Sequence, residues 1–204
     1  MDNKEHWENV FSTKTEKEVS WYQQYPKVSV DCIQQFQLPL DAKIIDIGAG
    51  DSYLIDALLE LGYINLFALD ISAKAIQRLK NRLGKKANDK VTFIVSDVLD
   101  FHPNTAFDLW HDRASFHFLT EENQIRKYAK LVGSALADDG KLAIGTFSEN
   151  GPKKCSGLDI TQYSVDSMTN VFKANFEFLN SKDVAHETPF DTIQNFIFCS
   201  FKRK

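Results

Sequence analysis

The sequence predicts an α/β fold, a doubly wound sheet of seven strands that is mostly parallel and carries an antiparallel C-terminal hairpin. Three observations predict it. From residue 44 to residue 147, short apolar segments alternate with segments of helical periodicity, which favours a parallel sheet covered by helices. The first strand, Ile44 to Ile47, runs directly into the turn Gly48-Ala49-Gly50. The last two strands have no helix between them, so we expect them to pair as a hairpin.

Length and composition suit a single domain. The 204 residues can form one core, and we expect a helical lead-in over 1–40 and a Rossmann-like core over 41–204. No apolar run approaches the roughly 20 residues of a membrane-spanning helix. The start of the chain lacks the apolar segment of a secretory signal, so we expect a cytoplasmic protein without membrane contact.

Charge and cysteine content exclude other classes. A net charge of −4 and a pI near 5.7 offer no attraction to a phosphate backbone, so we expect no nucleic-acid partner. Cys32, Cys155 and Cys199 are odd in number and widely spaced. This spacing argues against a disulfide framework and against a zinc site, so we expect reduced thiols and no metal.

The individual elements follow from local patterns. In the lead-in, Trp7, Val10 and Phe11 lie on one helical face. Strands are predicted where β-branched or apolar residues form short runs, and helices where apolar residues recur at helical spacing. The expected elements in chain order are helix 27–36, strand 44–47, helix 52–61, strand 65–70, helix 73–83, strand 91–95, strand 107–110, helix 121–136, strand 141–147, helix 164–175, and strands 176–182 and 192–201.

Capping and turn residues set several boundaries. Ser72 is expected to cap the helix that Gly84 closes, and Thr120 to cap the helix that follows the fourth strand. Gly62 ends the helix after the glycine turn. Asp138-Asp139-Gly140 reads as a turn, and residues 148–157, rich in Gly, Pro and Ser, read as a loop.

A strand, a glycine turn and a helix in that order form a nucleotide-type pocket, in which free N–H groups at the helix start face the ligand. An acid about 20 residues after the first glycine typically binds ribose hydroxyls. Asp70 follows Gly48 by 22 residues and ends the second strand. This spacing fits both a dinucleotide and S-adenosylmethionine. The alternative is that Gly48 and Gly50 only make a tight turn.

Two residues distinguish the ligands. A dinucleotide turn needs a third small residue where the helix packs around the pyrophosphate, and Tyr53 occupies that position. Asp46, before the turn, is unfavourable beside a diphosphate but suits a cationic amino-acid ligand. Both residues favour S-adenosylmethionine.

Several motifs together resemble the class I S-adenosylmethionine-dependent methyltransferases. The resemblance covers nearly the whole chain and is carried by Asp46-Ile47-Gly48-Ala49-Gly50, Asp70, Ser96-Asp97-Val98 and the terminal hairpin. Other segments are similar to a group of small bacterial-type methyltransferases, and the chain is distantly similar to protein lysine methyltransferases. These segments are Glu18 to Tyr22, Trp110 to Ala114, Gly145 to Phe147 and Gly151 to Leu158.

The resemblance implies a set of cofactor contacts. Gly48 and Gly50 would lie against the amino-acid and ribose part of S-adenosylmethionine, and Asp70 would accept hydrogen bonds from the ribose hydroxyls. Asp97 and the Val98 amide would meet the adenine edge. Ile71 would cover the adenine face. Ser52 stands where a third glycine is common in the family.

Catalytic candidates follow the fourth strand, because ligands bind at the carboxyl ends of parallel strands. His111 is a possible base, Asp112 a possible base or amine-positioning group, and Arg113 a possible clamp for an acceptor carboxylate. The alternative is that Asp112 and Arg113 pair with each other or hold the N-terminal segment.

Substrate contacts are expected from aromatic and loop residues. Trp21 and Tyr22 form an aromatic lid or pack in the core. Cys155 is expected to line the acceptor pocket or to act in redox trapping, and His186 to face the same pocket or to lie at the surface.

We therefore expect a methyltransferase that transfers a methyl group from S-adenosylmethionine to a small-molecule acceptor by in-line displacement. One alternative is a protein methyltransferase acting on lysine. The other is a cofactor-binding protein without transferase activity.

Overall fold

The computed structural model describes residues 3–204, so the first two residues of the predicted lead-in lie outside the described part of the chain. The helices are α1 (Asn3–Thr13), α2 (Lys27–Gln34), α3 (Leu54–Glu60), α4 (Ala73–Leu83), α5 (Glu122–Ala135) and α6 (Val165–Phe172). The strands are β1 (Lys43–Ile47), β2 (Asn65–Asp70), β3 (Val91–Val95), β4 (Phe107–Arg113), β5 (Leu136–Phe147), β6 (Lys154–Cys155), β7 (Leu158–Asp159), β8 (Phe176–Glu187) and β9 (Ile193–Arg203).

Seven of these strands form one sheet in the order β3-β2-β1-β4-β5-β9-β8. The first five are parallel, and β9 pairs antiparallel with both β5 and β8. The predicted fold is confirmed, including the C-terminal hairpin. The chain winds outward in opposite directions from β1 and β4, and this change of direction opens a crevice at their carboxyl ends.

The core lies on both faces of β1. Ile44 packs on one face with Ile33 and Leu58, and Ile45 packs on the other with Trp110 and Tyr128. All six side chains are almost fully buried. Because successive strand residues point to opposite faces, a strand covered on both sides needs apolar residues at nearly every position. Asp46 is the exception inside this strand.

The predicted cap of α4 is confirmed, and that of α5 is wrong. Ser72 Oγ accepts a hydrogen bond from the Ala75 N–H at 3.2 Å. The helix α5 begins at Glu122, and its N-cap is Glu121, whose side chain makes no capping hydrogen bond. Since the chain stays extended through Glu121, Thr120 lies one position too early to cap the first turn.

The terminal strands are longer than their sequence pattern predicts. They pair continuously from Phe176 with Arg203 to Glu187 with Ile193, apart from one irregularity near Phe178. The middle of β8 is polar and exposed, so it lacks the apolar alternation that identifies a strand. The predicted turn 138–140 lies within β5, where Asp139 has a φ of 61°. The predicted loop 148–157 contains β6, which pairs with β7.

No helix within residues 3–204 is long and apolar enough to cross a membrane. Over the same residues, no three His, Cys, Asp or Glu side chains are grouped so that they could hold a metal ion.

Candidate active site

A cleft opens at the carboxyl ends of β1, β2 and β4. It is floored by the glycine turn after β1 and covered by side chains from α1 and from the segment before α2. Its empty volume is about 1100 Å³ when the mouth that opens to solvent is included. All seven cofactor residues predicted from the sequence line it, namely Asp46, Gly48, Gly50, Asp70, Ile71, Asp97 and Val98.

The turn after β1 requires glycine at two positions. Gly48 and Gly50 have φ angles of 62° and 55°, which residues with a side chain rarely adopt. A Cβ atom on Gly48 would lie 2.6 Å from Ser115 Cβ, and one on Gly50 would lie 3.2 Å from Phe11 Cζ. The backbone therefore forms a bare cradle at the floor of the cleft.

Asp70 holds this turn from the neighbouring strand. Its Oδ2 accepts a hydrogen bond from the Gly50 N–H, and its Oδ1 accepts one from the Ser72 N–H, both at 2.8 Å. Burial raises the pKa of Asp70 to about 6, against the two N–H donors, which lower it. Each carboxylate oxygen keeps a further lone pair. The cradle and this carboxylate fit the amino-acid and ribose part of S-adenosylmethionine.

Ile71, Asp97 and Val98 continue the cleft along the ends of β2 and β3. Asp97 Oδ1 accepts a hydrogen bond from the Leu99 N–H at 2.8 Å and so fixes the short helical turn Val98–Asp100. This turn presents Val98 to the cleft beside Ile71. The arrangement can hold a flat ring between an apolar face and a polar edge.

Asp46 and His111 form a buried pair. They are register partners on the parallel strands β1 and β4, so their side chains project from the same face. Asp46 Oδ1 lies 2.7 Å from His111 Nδ1, and both residues line the cleft although they are at most 3% exposed. His111 Nε2 is buried without a hydrogen-bond partner among the described residues.

Arg113 binds the N-terminal segment. Its Nη1 donates to Gln23 Oε1 at 2.6 Å and its Nη2 to the Trp21 carbonyl at 2.7 Å. Burial lowers the pKa of Arg113 to about 10, so the guanidinium stays charged at neutral pH. The sequence leaves open whether Arg113 pairs with Asp112 or holds the N-terminal segment. In the structure it holds the N-terminal segment.

Asp112 faces away from the cleft, into the core between β4 and α5. Its Oδ1 accepts from the Ser115 and Phe116 N–H groups, each at 3.0 Å, and its Oδ2 accepts from the Tyr128 hydroxyl at 2.6 Å. Burial raises the pKa of Asp112 to about 6. The predicted role of Asp112 as a base or amine-positioning group is corrected. Side chains alternate between the two faces along β4, so Asp112 points to the face opposite His111.

Four aromatic side chains cover the cleft, and we call them the roof: Trp7, Phe11, Trp21 and Phe118. The Trp7 ring centre lies 5.1 Å from that of Phe118 and 5.8 Å from that of Trp21. Trp21 lies at the site, as the sequence predicts. The sequence pattern of Trp7 and Phe11 indicates only an apolar helical face, because nothing local indicates what that face covers.

The other substrate residues predicted from the sequence lie in three different places, and only one of them lines the cleft. Cys155 lines the cleft, and burial raises its pKa to about 11, so it is a neutral thiol. Tyr22 lies in a small neighbouring pocket, with its ring 6.2 Å from that of Tyr53. His186 does not line the cleft, since its Nε2 donates to the Ser20 carbonyl at 2.7 Å. The prediction that His186 faces the pocket is therefore corrected.

Two other polar residues at the cleft are not predicted from the sequence. Glu8 of α1 accepts hydrogen bonds from the Ala73 and Lys74 N–H groups at 2.7 and 3.2 Å, so it caps α4 from outside and holds α1 over the cleft. Ser29 of α2 lines the cleft, is 1% exposed, and has an Oγ without a partner among the described residues. The Glu8 contact has no local signal because its partners are 65 and 66 residues away, and the sequence around Ser29 does not indicate that this side chain faces a cleft.

A family model described as a methyltransferase domain matches residues 40–194. Human EEF1A lysine methyltransferase 2 is 25% identical over 149 residues, which cover 66% of this chain and 61% of that protein. Malonyl-[acyl-carrier protein] O-methyltransferase 1 of Ilyobacter polytropus is 27% identical over 165 residues, covering 76% of this chain and 60% of that protein. The chain thus spans about 60% of the length of these two relatives.

Solved structures show the same fold. One, from work on the conversion of a disulfide bond into a thioacetal group during echinomycin biosynthesis, has a TM-score of 0.81 at 18% identity and covers 98% of this chain and 93% of its own. Another is Burkholderia thailandensis 1,6-didemethyltoxoflavin-N1-methyltransferase with bound S-adenosylhomocysteine. It has a TM-score of 0.72 at 17% identity, and the match covers 96% of this chain and 81% of that chain. That neighbour holds S-adenosylhomocysteine, the demethylated form of the cofactor that the sequence predicts here. The chain belongs to this family of methyltransferase domains and has the class I fold that the sequence predicts.

Proposed function

We propose that this protein transfers a methyl group from S-adenosylmethionine to a small-molecule acceptor by in-line displacement. The observation that carries the proposal is the roofed cleft, in which the glycine cradle and Asp70 lie beneath four aromatic side chains. The proposal includes a single domain over residues 1–204, in which the N-terminal 40 residues supply most of the roof, and a cytoplasmic location.

The chain itself contributes binding, alignment and exclusion of water. S-adenosylmethionine supplies the activated methyl group when it is bound. Gly48, Gly50 and Asp70 would hold its amino-acid and ribose part, and Ile71, Asp97 and Val98 its adenine. Displacement at a sulfonium methyl depends mainly on alignment of the nucleophile in a dry site. The roof supplies the apolar surface that excludes water.

The acceptor would lie between the roof and the end of β4. Trp21, Arg113 and Cys155 border this region. Because Arg113 already donates to Trp21 and Gln23, its first task is to hold the roof segment, and contact with an acceptor carboxylate would be additional. A covered cleft suits a small apolar molecule. Tyr22, Asp112 and His186 have no part in this proposal.

Protein lysine methylation is the second candidate. The human relative, named as an EEF1A lysine methyltransferase, supports it. A protein side chain must reach the methyl group through an open groove, whereas α1 is tied across this cleft by Glu8. The enclosed cleft therefore favours the small-molecule acceptor.

Calorimetry and a transfer assay test the proposal. The protein is expected to bind S-adenosylhomocysteine and not NAD. With radiolabelled methyl donor, label is expected in the small-molecule fraction of a cell extract and not in its protein fraction. Label only in protein would favour the lysine candidate. Cofactor binding without transfer to either fraction would favour a binding protein without transferase activity.

A further inference from the structure

We infer that Asp46 and His111 form a catalytic dyad, in which His111 Nε2 removes a proton from the acceptor, and that the acceptor is therefore a neutral O–H or N–H nucleophile. This inference rests on the proposed function and assigns its acceptor class. It also changes the part of Asp46, which the sequence places among the cofactor contacts. In the dyad Asp46 is a positioning residue for His111.

The geometry defines which nitrogen is available. A carboxylate accepts hydrogen bonds, so the 2.7 Å contact requires a proton on His111 Nδ1. In the neutral ring, Nε2 then carries a lone pair. This atom is buried, lies on a residue that lines the cleft, and has no partner among residues 3–204. A buried polar atom without a partner is unfavourable, and a hydrogen bond from a ligand removes that cost.

Two other buried histidines show what a structural histidine looks like in this chain. His186 has both nitrogens engaged, with Ser20 and Gln23. His117 is packed against the rings of Phe118 and Phe147, and its Nδ1 accepts from the Phe147 N–H at 3.4 Å. Its Nε2, like that of His111, is buried without a partner among the described residues. His111 differs from both histidines in its place, because it lines the cleft and they do not.

Ser29 provides a second, independent observation. It belongs to α2, which packs against β4, and its buried Oγ also lines the cleft without a partner among the described residues. The Ser29 hydroxyl and the His111 Nε2 are thus both available to form hydrogen bonds with polar atoms of a ligand. An acceptor that carries a hydroxyl or N–H group provides them.

The step balances as a displacement with proton transfer. The acceptor's lone pair forms a bond to the methyl carbon, the methyl–sulfur bonding pair stays on sulfur, and the acceptor's proton passes to His111 Nε2. The imidazolium is stabilised by Asp46 and returns its proton to water when the product leaves. Carboxylates, thioethers and tertiary amines have no such proton to lose, so they do not need this base.

The first test does not depend on turnover. In ¹⁵N-histidine NMR spectra of the protein with S-adenosylhomocysteine, His111 is expected as the tautomer with its proton on Nδ1. A proton on Nε2 in the neutral ring would overturn the dyad, because the nitrogen assigned to proton removal would then be a donor. Calorimetry on the same sample tests the proposed function separately.

The second test uses S-adenosylmethionine with a panel of small phenols, ring N–H compounds, carboxylates and tertiary amines. Methyl transfer to phenols or ring N–H compounds is expected, and His111→Gln should lower it by about 10²–10⁴-fold, as for loss of a general base. Affinity for S-adenosylhomocysteine should stay within about twofold. The control His102→Gln changes an exposed histidine and should preserve turnover. Transfer only to carboxylates or tertiary amines, or no transfer at all, would contradict the acceptor class.

Asp46→Asn separates the two parts considered for Asp46. As a positioning residue, its loss should reduce the Nδ1–H population in the NMR spectrum and lower kcat, with KM for S-adenosylmethionine nearly unchanged. A rise in the KM for S-adenosylmethionine with normal kcat would show that Asp46 contacts the cofactor and would overturn the dyad.

Discussion

The guanidinium of Arg113 donates a hydrogen bond of 2.7 Å to the main-chain carbonyl of Trp21, which lies 92 residues earlier in the chain. The same guanidinium binds Gln23, whose amide lies 3.4 Å from a ring nitrogen of His186. The end of β4, the segment that carries Trp21, and β8 are therefore joined in one hydrogen-bonded network. This network fixes one side of the roof.

Arg113→Ala is expected to loosen the segment around Trp21. Two hydrogen bonds from a charged donor are lost, so limited proteolysis should cleave near residues 19–25 faster than in the unaltered protein. Affinity for S-adenosylhomocysteine should fall, because the roof is no longer held closed. Arg126→Ala, which breaks an exposed pair with Glu122, is the control and should change neither measurement. Equal cleavage rates for all three proteins would refute the holding role.

Asp70→Asn is expected to weaken the binding of S-adenosylhomocysteine by about 1–3 kcal/mol, or about 5- to 150-fold, because an amide group replaces one acceptor oxygen by a donor. Calorimetry measures the change. Asp89→Asn, at an exposed turn, should bind normally. Unchanged affinity in Asp70→Asn would place the ribose elsewhere.

Affinity for S-adenosylhomocysteine should also depend on pH. Burial raises the pKa of Asp70 to about 6, so its carboxyl group takes up a proton as the pH falls through 6 and then accepts hydrogen bonds less well. Binding should be weaker at pH 5 than at pH 7.5, and Asp70→Asn should lose this dependence. In the free protein, the folding stability depends on pH in the opposite direction. Because folding raises the pKa of Asp70 from 3.8 to about 6, the contribution of its protonation to folding stability is complete below about pH 4 and is lost as the pH rises through 6.

Gly48→Ala tests the cradle. The φ of 62° strains any side chain, and the added Cβ would lie 2.6 Å from Ser115 Cβ. Gly157→Ala is the control, since its φ is also positive, at 82°, but nothing lies within 4 Å of the added Cβ. Both should lose about 1–2 kcal/mol of stability from backbone strain, and Gly48→Ala should lose more and bind S-adenosylhomocysteine weakly. If both variants unfold at the same denaturant concentration and bind alike, the close approach to Ser115 has no energetic effect.

Asp112→Ala is expected to destabilise the fold. Three donors lose their acceptor: the Phe116 N–H and the Tyr128 hydroxyl, which are buried, and the Ser115 N–H, which is partly buried. A loss of about 3 kcal/mol follows if each orphaned donor costs about 1 kcal/mol. For a chain of this size the Tm should fall by roughly 6–12 °C, as measured by thermal unfolding. Asp159→Ala, whose partner Lys154 is also exposed, should leave the Tm nearly unchanged. A stable Asp112→Ala that has lost turnover would restore Asp112 as a catalytic candidate.

The best sequence predictions are those that depend on neighbours along the chain. The second strand was predicted with the observed bounds, Asn65 to Asp70, because its apolar run and its terminal acid are local signals. The Ser72 cap likewise involves only residues one turn apart. The Thr120 cap failed because an extended residue, Glu121, precedes the helix, and Ser, Thr or Glu patterns do not specify where the first turn closes.

The candidate site was predicted in part for the same reason. The glycine turn and Asp70 are adjacent elements of one strand–helix–strand unit, so their spacing in sequence determines their proximity. The roof is different, since Trp7, Trp21 and Phe118 come from three distant segments. Aromatic side chains at helical spacing indicate burial, but they do not indicate what is buried beneath them.

The sequence by itself determined the sheet, the glycine turn and the cleft residues next to that turn, because hydrophobic periodicity and turn chemistry act over a few residues. The tertiary structure decided the roles of the residues at the end of β4. Alternation along that strand separates Asp112 from its neighbours, but only packing against α5 assigns Asp112 to the core and His111 to the cleft. The partnership of His111 with Asp46 spans 65 residues and arises from the register of two strands, which is a property of the assembled sheet.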